Sequence, residues 1–285
     1  MNAASDKSAQ EAGMPTVVLI HGAFADSSSW NGVIANLKRR GYPVIAVANP
    51  LRGVQKDAAY ARAVVDSVSG PVVMAAHSYG GAVMTEAAEG APNVKALVYV
   101  ASLSPDVGES AADLITKFPG SALLTSVKMV PIPLDDGGTT MEQYVDQDQF
   151  PAVFAADVDP DTAELMAVTQ RPATEAAQTE SVTKVAWKTI PSWTLITTQD
   201  KGIPPDLQRF LAKRAGSTTV EIDASHAVAV SQPGPVADLS TQPPAPPSTS
   251  YPRQTSDARR RSHRCVLQPT ASPRASQAAS SPRAA

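Results

Sequence analysis

Short, continuous apolar runs alternate with segments whose apolar residues recur every three or four positions. The first run, Thr16-Val17-Val18-Leu19-Ile20, is rich in β-branched residues and reads as a buried strand. Trp30, Val33, Ile34 and Leu37 then repeat at helical spacing, and Lys38-Arg39-Arg40-Gly41 closes that helix with positive charge and a glycine. The same alternation predicts a strand over 43–48 and a helix over 57–68 that buries Ala61, Val64, Val65 and Val68. A third strand follows from Val72, a helix over 81–89 and a fourth strand over 94–101.

Between 103 and 188 the rhythm lapses. Pro105, Pro119, Pro131 and Pro133, a Gly137-Gly138 turn and helix-like pieces near 111–117, 141–147 and 162–169 predict an inserted helical cap without strands. A helical subdomain with a private core of Phe118, Leu123, Leu124, Met129, Phe150, Phe154 and Met166 is the alternative. The rhythm resumes with a strand over 192–198, a helix over 206–215 stopped by Gly216, a strand over 218–223 and a last helix from about 235. Strands separated by amphipathic helices predict an α/β fold: a mainly parallel sheet of about six strands, helices on both faces, and the cap after the fourth strand.

Composition narrows the picture. The 285 residues are 43% hydrophobic with a net charge of −3, which supports a real core and speaks against nucleic acid or an acidic membrane surface as partner. A single cysteine, Cys265, excludes an intramolecular disulfide and a cysteine-based metal site. Residues 1–14 read as a disordered polar lead without an apolar signal core, and no run approaches the ~18 apolar residues of a membrane span. A cytoplasmic protein is the expectation. From Ser240 the composition shifts to Pro, Ser and Arg, with Arg253, Arg259, Arg260, Arg261, Arg264, Arg274 and Arg283 against the one acid Asp257. Residues 240–285 therefore read as a disordered tail, either solvated or the product of a shifted reading frame that shortens the last helix. The folded domain spans 15–239.

The chemistry gathers at strand ends. Ala76-His77-Ser78-Tyr79-Gly80-Gly81 follows an apolar strand and opens a helix, the setting of a nucleophile elbow. Ala76 stands where such motifs usually have glycine, and both Ala76 and Gly80 meet the need for small residues there. A serine hydroxyl needs a base, and the base needs an orienting acid. His263 lies in the tail, the elbow points His77 away, and His21 ends the first strand, where an imidazole buttresses a loop. His226, after the last strand, remains as the base. Asp200, after the fifth strand, is the favoured acid, with Asp106 and Asp223 as competitors and Asp206 assigned to capping its helix. The backbone N–H groups of Ala23 and Tyr79 are the candidate oxyanion donors, with Phe24 a possible substitute for Ala23 and Gly22 allowing close approach.

With His21-Gly22-Ala23, the serine motif, Thr198-Gln199-Asp200 before Ile203-Pro204, and Ser225-His226, the chain resembles the α/β-hydrolase superfamily over roughly 15–239. It looks most like the lid-bearing esterases that include plant methylesterases and hydroxynitrile lyases. The resemblance implies sheet order 2-1-3-4-5-6 and hydrolysis of a small to medium carboxylic ester through an acyl-enzyme, with no metal or cofactor. The lyases of that group carry threonine in place of Gly22 and lysine in place of Ala227, which favours an esterase here. A perhydrolase or haloperoxidase using the same triad, or a non-catalytic ligand-binding protein of this fold, stay open as alternatives. The sequence leaves the oligomeric state unknown.

Overall fold

The computed structural model describes residues 13–134 and 136–242. The expected disordered lead (residues 1–12) and tail (residues 243–285, with His263 and Cys265) lie outside the described residues.

Among the described residues nine strands form two sheets. β1 (Thr16–Ile20), β2 (Val44–Val47), β3 (Val72–Ser78), β4 (Val94–Ser102), β8 (Ser192–Thr197) and β9 (Thr218–Ile222) make the central sheet. Its order is β2-β1-β3-β4-β8-β9, and every neighbouring pair is parallel. This is the six-strand order expected from the sequence. Parallel pairing forces each connection to cross over the sheet, so the intervening segments become helices on its faces.

Alternation along the strands decides what each face buries. Val17, Leu19, Val73, Ala75, Val98 and Val100 point to one side and pack with Trp30, Val33 and Leu37 around α1 (Asn31–Arg39). Val18, Ile20, Met74, Ala76, Leu97 and Tyr99 point to the other, where α2 (Val54–Asp66) and α3 (Gly80–Ala87) cover them. The one-residue offset between the two sets is the period of two that a pleated strand imposes.

The insertion after β4 carries α4 (Ala111–Lys117), α5 (Leu123–Ser126), α6 (Phe150–Phe154), α7 (Pro160–Thr169) and α8 (Glu175–Thr179). It also contains strands, contrary to the sequence-based expectation. β5 (Val127–Pro133), β6 (Thr139–Val145) and β7 (Ala173–Thr174) form an antiparallel sheet in the order β5-β6-β7. The stretch 141–147, expected as helix, lies mostly in β6. Its Thr-Thr-Met-Glu-Gln-Tyr-Val sequence alternates in side-chain direction and is rich in β-branched and aromatic residues, which favours a strand. Pro131 and Pro133 are tolerated because β5 is an edge strand, where a missing N–H is harmless. α9 (Pro205–Ala215), α10 (Val228–Ser231) and α11 (Pro233–Leu239) complete the chain. Leu207 and Leu211 of α9 join the α2 side of the core, whereas Val236, Ala237 and Leu239 of α11 join the α1 side. Among the described residues no helix is long and apolar enough to cross a membrane.

The junction of β3 and α3 is the tightest point of the fold. A Cβ on Gly80 would lie 2.6 Å from the Ile20 carbonyl oxygen, and one on Gly81 would lie 2.1 Å from that of Leu103. Backbone cannot yield there as a flexible side chain would. Gly81→Ala is therefore expected to destabilise the domain by about 1–3 kcal/mol, the usual effect of overpacking a rigid site. Urea unfolding of the variant beside the parent protein measures it.

Candidate active site

Ser78 is the last residue of β3 and has φ 54°, a left-handed conformation that a serine adopts only under constraint. Two bonds to its carbonyl oxygen supply that constraint, from Ser102 Oγ at 2.8 Å and the Leu103 N–H at 3.2 Å. The register between β3 and β4 shifts at His77/Ser78, and Ala101 also has a positive φ of 45°. This irregularity sets Ser102 opposite Ser78, so its hydroxyl meets the strained peptide.

The Ser78 hydroxyl donates to His226 Nε2 at 2.9 Å, and His226 Nδ1–H donates to Asp200 Oδ2 at 2.8 Å. Asp200 can only accept when ionised, so the Nδ1 proton is fixed and Nε2 is left free to take the serine proton. All three side chains are buried. The structure thus brings together Ser78, Asp200 and His226, each from the end of a different strand of one sheet edge.

Asp200 is held more firmly than its sequence neighbourhood suggests. Its Oδ1 accepts from the Gly202 and Ile203 N–H groups at 2.7 and 2.8 Å. Its Oδ2 accepts from Thr197 Oγ1 and from Gln208 Nε2, both at 2.9 Å, besides His226. Gln208 is fully buried on α9 and also bonds the Thr197 N–H and the Ile203 carbonyl. Sequence reasoning missed Gln208. A glutamine on the buried face of an amphipathic helix was the available signal. The competing acids are engaged elsewhere: Asp106 pairs with Lys188 at 2.6 Å, Asp223 accepts from Thr198, and Asp206 pairs with Arg209 inside the first turn of α9.

The other two histidines are supports. His21 Nε2 accepts from the Asn49 N–H at 3.0 Å while its Nδ1–H donates to the Gly22 carbonyl at 2.9 Å. Asn49 Nδ2 in turn donates to the His21 carbonyl at 3.0 Å, so the loop after β1 is tied from both sides. His77 turns away from the Ser78 hydroxyl, as expected, but it does more than that. Its Nε2–H donates to the His226 carbonyl at 2.8 Å, and its ring lies 4.6 Å from the His226 ring. Burial pushes the pKa of His77 well down, and the neighbouring His226 adds to the effect. Burial likewise lowers His21.

Phe154 of α6 covers the remaining side of the base, its ring edge-on to His226 at 4.7 Å. Its carbonyl accepts from the Ala227 N–H at 2.9 Å. The cap therefore touches the catalytic loop directly.

At the oxyanion loop, the Phe24 N–H donates to the Arg171 carbonyl at 3.0 Å. That removes Phe24 as a substitute donor. Among the described residues the Ala23 and Tyr79 N–H groups have no protein acceptor, and both residues line the cavity that opens on Ser78. Tyr79 is anchored by its hydroxyl, which donates to the buried Asp57 at 2.8 Å. Burial raises the pKa of that carboxyl, against the bonds it accepts from Arg52 and Tyr79. Gly22 permits the close approach: a Cβ there would sit 2.6 Å from Ser78 Cβ.

The cavity measures about 250 Å³ and is walled mainly by Leu103, Ile115, Leu123, Leu124, Val127 and Ile203. Of the expected cap residues, Leu123 and Leu124 reach it. Phe150 and Phe154 are core, and Met129 is exposed on β5. Among the described residues no cluster of three His, Cys, Asp or Glu side chains is placed to hold a metal.

A strained serine bonded to a histidine, itself bonded to a buried aspartate, at the carboxyl edge of a parallel sheet defines a serine hydrolase. A sequence model of the alpha/beta hydrolase family matches residues 17–239, and the chain belongs to that family. Polyneuridine aldehyde esterase has a similar structure, with TM-score 0.69 and 18% identity over 80% of this chain and 98% of that one. A pyrethroid hydrolase from Sphingobium faniae matches with TM-score 0.64 and 19% identity over 79% of this chain and 95% of that one. Tomato methylketone synthase I, complexed with 2-tridecanone, matches with TM-score 0.65 and 17% identity over 79% and 95%. At such identities these likenesses establish the fold. No curated protein matches the chain.

Two outcomes follow from this geometry. Gly22→Ala is expected to displace the loop or Ser78 and lower kcat by about 10²-fold or more, as misplacements near 1 Å do; steady-state ester kinetics read it. His77 and His21 are neutral when buried but protonate near 6.5 when exposed, so the unfolded chain binds more protons below that pH. Stability is therefore present above about pH 6.5 and falls as the pH drops below it. Asp57 acts with the opposite sign, because its raised pKa makes the folded chain the stronger proton binder above its ordinary 3.8. A series of thermal melts from pH 7 to about pH 5 should show the Tm falling as the two buried histidines lose their contribution, and His77→Gln should flatten that fall.

Proposed function

We propose that this protein is a carboxylic ester hydrolase of the lid-bearing type found among plant methylesterases, with residues 15–239 as its catalytic unit. Ser78 Oγ attacks the ester carbonyl carbon as its proton passes to His226 Nε2. The oxyanion is received by the N–H groups of Ala23 and Tyr79, and His21, Gly22 and Phe24 shape the loop that presents the first of them. The ester C–O bond then breaks and His226 returns the proton to the departing alkoxide. Water attacks the acyl-enzyme with His226 again as base, releasing the acid and restoring Ser78. Asp200 keeps the imidazole in the tautomer that both steps need and stabilises the imidazolium between them.

The observation that carries this reading is the Ser78–His226–Asp200 chain, with contacts of 2.9 and 2.8 Å, facing an apolar cavity. Its volume of about 250 Å³ supports a small to medium, largely apolar substrate. Two features support hydrolysis over cyanohydrin cleavage. The position of Gly22 accepts no Cβ without moving Ser78, which disfavours the threonine of the lyases. Ala227 offers no cation after His226, and no lysine or arginine lines the cavity among the described residues.

Ser78→Ala is expected to lower kcat on nitrophenyl acetate by about 10⁶-fold while the thermal melt stays within a few degrees of the parent. Turnover that survives the substitution refutes the assignment.

A further inference from the structure

Two positions interrupt the apolar wall of the Ser78 cavity. Gln143 lies on β6 and Gln178 on α8, and both line the space that Ser78 opens on. Both are half-buried. The alternation of β6 explains how Gln143 comes to face inward. Glu142, the preceding residue, accepts from the Arg52 guanidinium, and Tyr144, the next, donates to Glu142 at 3.2 Å. Those two side chains occupy one face of the strand, so Gln143 is turned to the other, together with the buried Val145. Among the described residues neither glutamine amide is hydrogen-bonded to another protein group, nor are the two bonded to each other. Other cap glutamines are engaged: Gln149 accepts from Ser126, and Gln170 clamps both backbone groups of Val145.

A plain hydrocarbon chain filling this cavity would strip water from two amides and return nothing, which is unfavourable for each. A primary amide both donates and accepts, so the pair suits a neutral partner such as a hydroxyl or a carbonyl. With no lysine or arginine on the described wall, a carboxylate has no counter-charge there.

We propose that the substrate is an ester carrying a second neutral hydrogen-bonding group, a hydroxyl or ketone, which Gln143 and Gln178 bind while Ser78 attacks the scissile carbonyl. The proposal rests on the esterase reading above and narrows its substrate class. The cap thereby selects by chemistry as well as by size, since a site that bonds a substrate hydroxyl or carbonyl discriminates against the analogue lacking it.

Matched esters test it on both sides of the scissile bond. On the acyl side, nitrophenyl levulinate is compared with nitrophenyl pentanoate, each rate divided by its hydroxide-catalysed rate. On the alcohol side, hydroxybutyl acetate with a terminal hydroxyl is compared with pentyl acetate. In at least one series the polar ester should have the higher kcat/KM, by about 10-fold. Gln143→Leu with Gln178→Leu should bring that ratio to about one, and each single variant should bring it part of the way. The ratio within one variant cancels any change common to both esters. Absence of a preference in both series, or a preference that survives in the single and double variants, overturns the proposal. Failure of the parent protein to turn over any of the four esters instead counts against the esterase reading itself.

Discussion

The left-handed backbone of Ser78 is the constraint on which the site depends. It places the hydroxyl clear of the sheet edge, and it is held there by what surrounds the peptide. Ser102 and Leu103 grip the carbonyl, Gly80 and Gly81 let α3 start against the backbone of β1 and β4, and Gly22 lets the oxyanion loop pass over Ser78. Strain of this kind is of order 1–3 kcal/mol and persists only where neighbours over-determine it. The sheet order matters for the same reason. β3 sits between β1 and β4, so both strands that brace the elbow are its hydrogen-bonded neighbours.

Around that fixed hydroxyl the site is electrostatically prearranged. The Asp200 carboxylate accepts five hydrogen bonds before any substrate arrives. A buried carboxylate so satisfied has one remaining task, to hold the Nδ1 proton of His226. His77, neutral because it is buried, fastens the backbone of the same residue without placing a second positive charge beside the imidazolium. The base is thus fixed through its ring on one side and its peptide on the other.

Much of this was legible in the chain. Apolar runs and helical spacing carried the central sheet, its helices and the insertion point, because burial on both faces leaves few alternatives to a continuous β-branched strand. Ser78, Asp200 and His226 were legible because each closes such a strand. The cap was less so. Its two long strands are antiparallel and half exposed, so they lack the continuous apolar run that marks a central strand, and Met141, Tyr144 and Val145 also recur at helical spacing. Gln208 and the role of His77 depend on contacts across long sequence separations, which no local pattern encodes. Phe24 was a fair candidate donor until the position of Arg171, far along the chain, showed its N–H to be engaged.

The contact between Phe154 and His226 bears on how such enzymes diversify. Phe154 belongs to the cap by sequence, yet its ring rests on the base and its carbonyl anchors the next residue of the base's loop. Asp157, three residues on, accepts from the Ser225 hydroxyl. The insertion is consequently not a cassette that can be exchanged whole between relatives. Its outer part, from β5 to β6, makes no such contact with the base and can vary with the substrate so long as the Arg52–Glu142 tie is kept, whereas the segment from Phe150 to Asp157 must be inherited with the histidine. A chimera that crosses over outside that segment keeps its catalytic loop, and one that replaces it has to rebuild the floor beneath the imidazole.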